Sequence, residues 1–409
     1  MTINDEQVKE THFRLFCWSV FAVFFIFVPS LIIAPIILFL LAPIKIKKSD
    51  ISFICVYLGL FMAVLGSAYE RTNNTGDISK YIISFDMLNT DGLFLFSKDN
   101  LYVFFYPSWY MLNAIVKDLG LPFKYVTFSC IFIAYICSYL AAKNLMSKRK
   151  DALLVIVFLS LFFSIPIIFS SYRTFTALSC LFLGLVYLQK NKGSGFALIL
   201  LGVGFHPITI VPLAIYVISK YLTPAKGWLV ISLTVGVFIK PLLIGVSGML
   251  LNIPFLGGKV ESYINGEWAN YRFHEAGEYL TFLQLIIFAV TLVYVLFSGN
   301  KFSYKILFKS RLLKFSFFYF CFVIMFFSFR TIFVRLLLSG VVFLIPIIYY
   351  ALKQHSLAKK ALISLLLILC LDTRTFMFFS YDSYKVGAGF PQNIVEPHFI
   401  NLIFKSKYD

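Results

Sequence analysis

Residues 170–219 read SSYRTFTALSCLFLGLVYLQKNKGSGFALILLGVGFHPITIVPLAIYVIS. Ser171-Tyr172-Arg173-Thr174 opens an apolar run of helical length, which ends in a basic turn at Lys190 to Lys192. A second apolar run follows, interrupted by Phe205-His206-Pro207. An arginine at the end of one membrane segment and a histidine inside the next are costly placements, and such residues mark functional sites. Pro207 has no backbone N–H and breaks or kinks a helix beside His206. Broken helices at membrane depth are tolerated where they line a cavity. The stretch therefore predicts a cavity with Arg173 and His206 in its wall, open to the non-cytoplasmic side.

Composition agrees with a membrane setting. Of the 409 residues, 60% are hydrophobic and 19% aromatic, with a mean hydropathy of +0.86. Repeated apolar runs of about 18 residues or more predict an all-α polytopic membrane protein. A net charge of +17 raises nucleic acid as a partner. Most of the lysines, however, stand in short loops between apolar runs, where they mark the cytoplasmic side. The seven cysteines all lie in apolar runs without metal-ligand spacing, and read as small buried hydrophobes. The first apolar run, from Phe13 to Ala42, is far longer than a signal-peptide core and is expected to stay in the membrane.

Alternating the basic clusters gives a topology of about 11 to 12 segments in one integral membrane domain over residues 1–409, including re-entrant or broken helices. Segments at about 15–42, 52–68, 123–142, 153–170, 175–189, 227–250, 279–298, 315–329, 332–352 and 361–376 are expected to cross. Outer loops fall at about 69–122 and 252–278. Within the first loop, residues 101–117 read as a re-entrant or surface-lying helix. A crossing there would place Lys143, Lys148, Arg149 and Lys150 outside. Residues 194–219 admit two readings: one span with His206 at mid-depth, or two half-helices that meet at His206-Pro207 and return.

This topology sorts the cations by type. Lysines fall inside, whereas Arg71, Arg173, Arg272, Arg330, Arg335 and Arg374 fall at or near the outer face. Positive-inside bias opposes that placement, so another force is needed to hold the arginines there. A guanidinium is a planar fork of donors that suits phosphate and keeps its charge. A polyanionic ligand at the outer boundary accounts for the pattern; pairing with nearby acids, as of Glu70 with Arg71, is the alternative.

The chain has no P-loop, dinucleotide-binding glycine pattern, zinc-binding H-E-x-x-H or nucleophile-elbow motif. No metal and no cofactor is expected. Glycosyl transfer on the outer face would need a donor activated by a lipid phosphate or pyrophosphate. Arginine would stabilise the leaving charge, and a histidine or carboxylate would take the acceptor's proton. His206, Asp77 and Glu70 are the candidates, with a helix N-cap as the other reading of Asp77.

Arg71, Gly76-Asp77 and Tyr81 in the loop, then Arg173 opening a helix with Ala177, then Phe205-His206, together resemble the EpsG-like group of bacterial polysaccharide polymerases, which overlaps the Wzy O-antigen polymerases. Asp77 is followed by Ile78 where that group often has Tyr, and Tyr106-Pro107-Ser108-Trp109 stands where it carries an acid. The resemblance implies a GT-C-like helical glycosyltransferase of the bacterial inner membrane, acting without metal at the periplasmic face in lipopolysaccharide or related polysaccharide biosynthesis. It implies undecaprenyl-pyrophosphate-linked repeats as substrate, membrane lipids as surroundings, and an open place for a chain-length regulator; nucleic acid is not a partner. It implies catalytic roles for His206, Asp77 and Arg173. Pyrophosphate binding would fall to Arg71 and Arg173, joined by Arg330 and Arg335 on topology alone. The alternatives are a lipid-linked oligosaccharide flippase, an O-antigen ligase and a small-solute transporter.

Overall fold

The computed structural model describes residues 48–67, 77–88, 104–146, 171–251 and 310–354, with isolated positions between them. The expected segments at about 15–42 and 361–376, most of those at 153–170 and 279–298, most of the expected second outer loop, and Arg71, Arg272 and Arg374 lie outside the described residues. Among the described residues the secondary structure is helical, without strands. Two helices, Lys124–Leu145 and Gly227–Met249, are long and apolar enough to cross a membrane. The chain divides into two compact units.

The first unit holds α1 (Lys48–Ser67), α2 (Asp77–Asp86), most of α3 (Pro107–Asp118) and α4 (Lys124–Leu145). Helices α1 and α4 pack antiparallel. Lys143 Nζ donates to Ser52 Oγ near one end, and Gly59 faces the Phe132 ring further along. Cys55, Leu58 and Phe61 of α1 and Cys130, Ala134 and Tyr135 of α4 are buried. The stretch expected as the first outer loop thus contains two helices of its own, α2 and α3. Tyr81 of α2 meets Trp109 of α3 at 5.2 Å between ring centroids. Lys117 Nζ donates to the carbonyls of Phe85 and Asp86, at 2.9 and 2.7 Å. A cation there satisfies the last carbonyls of α2 and complements its dipole. Helix α3 has 12 residues, about 18 Å at 1.5 Å per residue, too short to cross a core of about 30 Å. Met111, Ile115 and Leu119 recur every fourth residue and are exposed, an apolar stripe of the kind a surface-lying or re-entrant helix presents.

The second unit holds Leu101–Ser108 and then α5 (Tyr172–Gln189), α6 (Ser194–Phe205), a 3-10 turn (Pro207–Thr209), α7 (Ile210–Ile218), α8 (Lys226–Leu251), α9 (Arg311–Met325), α10 (Arg330–Ser339) and α11 (Val341–Gln354). Helices α5 and α6 form a tight antiparallel hairpin. It turns at Lys190–Gly193, where Asn191 takes the left-handed conformation, φ 55°, which asparagine tolerates better than most residues. Small residues set the spacing, as is common between membrane helices. A Cβ on Gly184 would lie 2.8 Å from the Gly195 carbonyl oxygen, and one on Gly195 2.7 Å from the Gly184 carbonyl. A Cβ on Gly202 would lie 2.7 Å from the Ala177 carbonyl.

Helix α9 packs against α7, α8 and α11. Phe315 and Tyr319 meet Phe343 of α11 edge-on at 5.1 and 4.9 Å. The apolar run at 332–352 reads as one segment, but the structure breaks it at Gly340 into α10 and α11. The Tyr319 hydroxyl reaches that break, donates to the Leu336 carbonyl at 2.9 Å and leaves no space for a side chain at Gly340.

The contacts of α7 resolve residues 194–219 in favour of two half-helices. Tyr216 of α7 lies under the Arg311 guanidinium at 4.1 Å, packs on Phe315 and shares a side-chain hydrogen bond with Gln189. Gln189 and Arg311 are terminal residues of α5 and α9. Helix α7 therefore returns to the end of the unit where α6 began. Substituting Gly195 with Val drives a branched side chain into a backbone carbonyl, and is expected to cost about 1–3 kcal/mol. Gly193→Ala enters open space and should leave the melting temperature of the detergent-solubilised protein unchanged while Gly195→Val lowers it.

Candidate active site

The site forms at the junction of α6 and α7. A residue before proline is disfavoured in the helical region, and His206 is extended, φ −160° and ψ 124°. The chain must still satisfy its backbone groups where water is scarce. The His206 N–H donates to the Gly202 carbonyl at 3.1 Å. The His206 carbonyl accepts from Thr209 N–H at 3.2 Å and from Thr209 Oγ1 at 2.9 Å. The imidazole Nδ1 accepts from Ile208 N–H at 3.1 Å, so the side chain caps the 3-10 turn. A neutral imidazole that accepts at Nδ1 carries its proton on Nε2. That assignment follows from the hydrogen bond, and it presents a donor, not a base, beyond the ring.

Leu101–Ser108 brings in a second aromatic group. Gly204 packs directly against Ser108: a Cβ there would collide with the serine side chain and lie 3.2 Å from its backbone nitrogen. This close approach seats Tyr106 beside His206, ring centroids 5.5 Å apart and edge-on at 77°. The guanidinium of Arg173, the second residue of α5, lies over the same tyrosine ring at 4.2 Å. The attraction is that of a cation to the negative ring face. Arg173, Tyr106 and His206, all half-buried, thus form one cluster from three separate pieces of chain.

The remaining candidates stand elsewhere or are known only by backbone position. Arg330 opens α10, which packs beside α5. Arg335 is half-buried on the same helix, and a separation of five residues turns it about 140° around the axis from Arg330. Asp77 is the first residue of α2, in the first unit. Arg71 lies outside the described residues. Among the described residues, no three His, Cys, Asp or Glu side chains gather as metal ligands.

Sequence reasoning named Arg173 and His206 as site candidates, whereas Tyr106 entered only within Tyr106-Pro107-Ser108-Trp109, the stretch that stands where the EpsG-like group carries an acid. The available signal was its place directly before Pro107, which begins α3.

A helical chain with membrane-length helices and a cluster of arginine, tyrosine and histidine at a broken helix defines a helical membrane protein with a polar site. The chain belongs to the EpsG family, whose model matches residues 53–389. No curated protein and no solved structure matches it. The family is associated with glycosyltransferase-like, polymerase-type activity in polysaccharide biosynthesis at the membrane.

The two roles of the imidazole are separable. Asparagine at position 206 keeps an acceptor for Ile208 N–H but has no Nε2 counterpart, whereas alanine loses both. Thermal unfolding should leave His206→Asn near the wild type and destabilise His206→Ala by about 0.5–2 kcal/mol, as for the loss of a cap.

Proposed function

We propose that this protein polymerises undecaprenyl-pyrophosphate-linked oligosaccharide repeats into O-antigen or a related surface polysaccharide, by metal-independent en bloc glycosyl transfer. The setting is the periplasmic face of the bacterial inner membrane, and the fold is a multi-pass, GT-C-like helical one. The observation that carries this reading is the meeting of Arg173 and His206 on the Tyr106 ring at the helix break. Stacking on tyrosine uses the face of a guanidinium, whereas phosphate is bound through its N–H edge. The same arginine can therefore be held by Tyr106 and bind a pyrophosphate.

In the reaction, a hydroxyl of the incoming repeat attacks the anomeric carbon of the growing chain. A new glycosidic C–O bond forms, the bond from carbon to pyrophosphate oxygen breaks, and its electron pair leaves with undecaprenyl pyrophosphate. Arg173 stabilises the developing phosphate charge, together with Arg71, Arg330 and Arg335. His206 donates a hydrogen bond from Nε2 to the departing pyrophosphate. Asp77, as carboxylate, takes the hydroxyl proton. No cofactor is required, and a chain-length regulator is a further partner.

Arg173→Ala and His206→Asn should each insert normally, lower the polymerisation rate about a hundredfold or more, and leave surface glycan as single repeats on gel analysis. Normal chain length in both variants would sink the site assignment. In a deletion strain, lipid A capped with one repeat separates a lost polymerase from a lost flippase, which allows no capping.

A further inference from the structure

Gln189, Tyr216 and Arg311 meet at the end of α5 opposite Arg173. Tyr216 of α7 is buried, packs edge-on against Phe315 of α9 at 5.7 Å between ring centroids, and shares a side-chain hydrogen bond with Gln189. The Arg311 guanidinium lies over the tyrosine ring at 4.1 Å. A ring face attracts a cation but gives its N–H groups no lone pair to bond. Arg311 Nε is buried, and among the described residues it has no hydrogen-bond partner. A charged donor left unpaired out of water is costly, so the geometry leaves a place for an acceptor.

The chain around this place supplies cations and no acid. Residues 152–260 and 279–371 contain no Asp or Glu. Helices α5 to α11, the connections 190–193 and 219–225, and the stretch 299–310 before α9 therefore carry no carboxylate side chain. Lys190 follows Gln189 directly, Lys220 comes four residues after Tyr216, and Lys314 stands three residues along α9 from Arg311. Lys192 Nζ lies over the Tyr187 ring at 4.8 Å. Lysines and tyrosines together are the dress of a membrane–water boundary. The anion at hand there is a lipid phosphate, and basic pockets between membrane helices hold such headgroups. Positive-inside bias alone is met by exposed charge, as at Lys190, Lys192 and Lys220, whereas Arg311 is half-buried and fixed on a ring. Its planar fork can give two N–H groups to the oxygens of one phosphate.

We infer that Arg311, seated on Tyr216, is the centre of a binding site for the phosphate of an anionic lipid headgroup, at the end of the unit opposite Arg173 and His206. The inference does not rest on the function proposed above. The test is binding of phosphatidylglycerol to the full chain in phosphatidylcholine nanodiscs, with inorganic phosphate as competitor. Arg311→Met should weaken phosphatidylglycerol binding about tenfold or more, and Arg311→Lys should restore only part, because an ammonium lacks the fork; where Arg311→Met does not insert, Arg311→Gln takes its place. Lys192→Gln removes an exposed cation, and Arg173→Ala one from the other end; both should bind phosphatidylglycerol as the wild type does. Wild-type binding in the Arg311 variants overturns the site. An equal loss in Lys192→Gln marks general attraction to an anionic surface and overturns it too. Displacement of the lipid by millimolar inorganic phosphate assigns the pocket to free phosphate and overturns the lipid as its ligand.

Discussion

A proline directly after His206, in a chain otherwise committed to helix, is the constraint on which the second unit depends. It disfavours helical backbone at His206 in surroundings where every polar group needs a partner. The chain meets that demand locally: the imidazole takes Ile208 N–H, and Thr209 returns to the His206 carbonyl twice. A half-helix enters, a half-helix leaves, and both end on the same side of the unit. The histidine is thereby a structural cap through Nδ1, with its other ring nitrogen outside that turn.

The glycine-lined contact between α5 and α6 gives that junction a firm base. With backbones in near contact at Gly184, Gly195 and Gly202, the two helices cannot slide, and Arg173 and His206 keep a fixed separation along them. Gly204 extends the same principle to the incoming Leu101–Ser108, which carries Tyr106. Preorganised charge contributes most to catalysis because no rearrangement is needed as the transition state forms. Close packing of small residues is a way to obtain this within a membrane, where the hydrophobic effect does not drive helices together.

Arginine over tyrosine occurs at both ends of this unit, with Arg173 on Tyr106 and Arg311 on Tyr216, at nearly equal distances of 4.2 and 4.1 Å. The contact alone therefore does not distinguish a reactive site from an anchor. At the Arg311 end the tyrosine is tied to Gln189 within a helical hairpin. At the Arg173 end the tyrosine meets a histidine at a break in the helix, and the chain there has donors to offer outward.

Properties set by neighbours along the chain were legible without coordinates: helical membrane character from the length of apolar runs, the break from proline, and the candidacy of Arg173 and His206 from the cost of charge in lipid. Properties set by distant neighbours were not. Tyr106 is indistinguishable by hydropathy from a ring that faces lipid, and becomes a site residue because Gly204 lets Ser108 approach. Gly340 is silent until the Tyr319 hydroxyl reaches it. Even Arg330 and Arg335, paired by topology, prove to be about 140° apart on their helix. Composition and spacing report what a residue costs where it stands, whereas the close approach of backbones, which glycine permits and packing enforces, sets which residues meet.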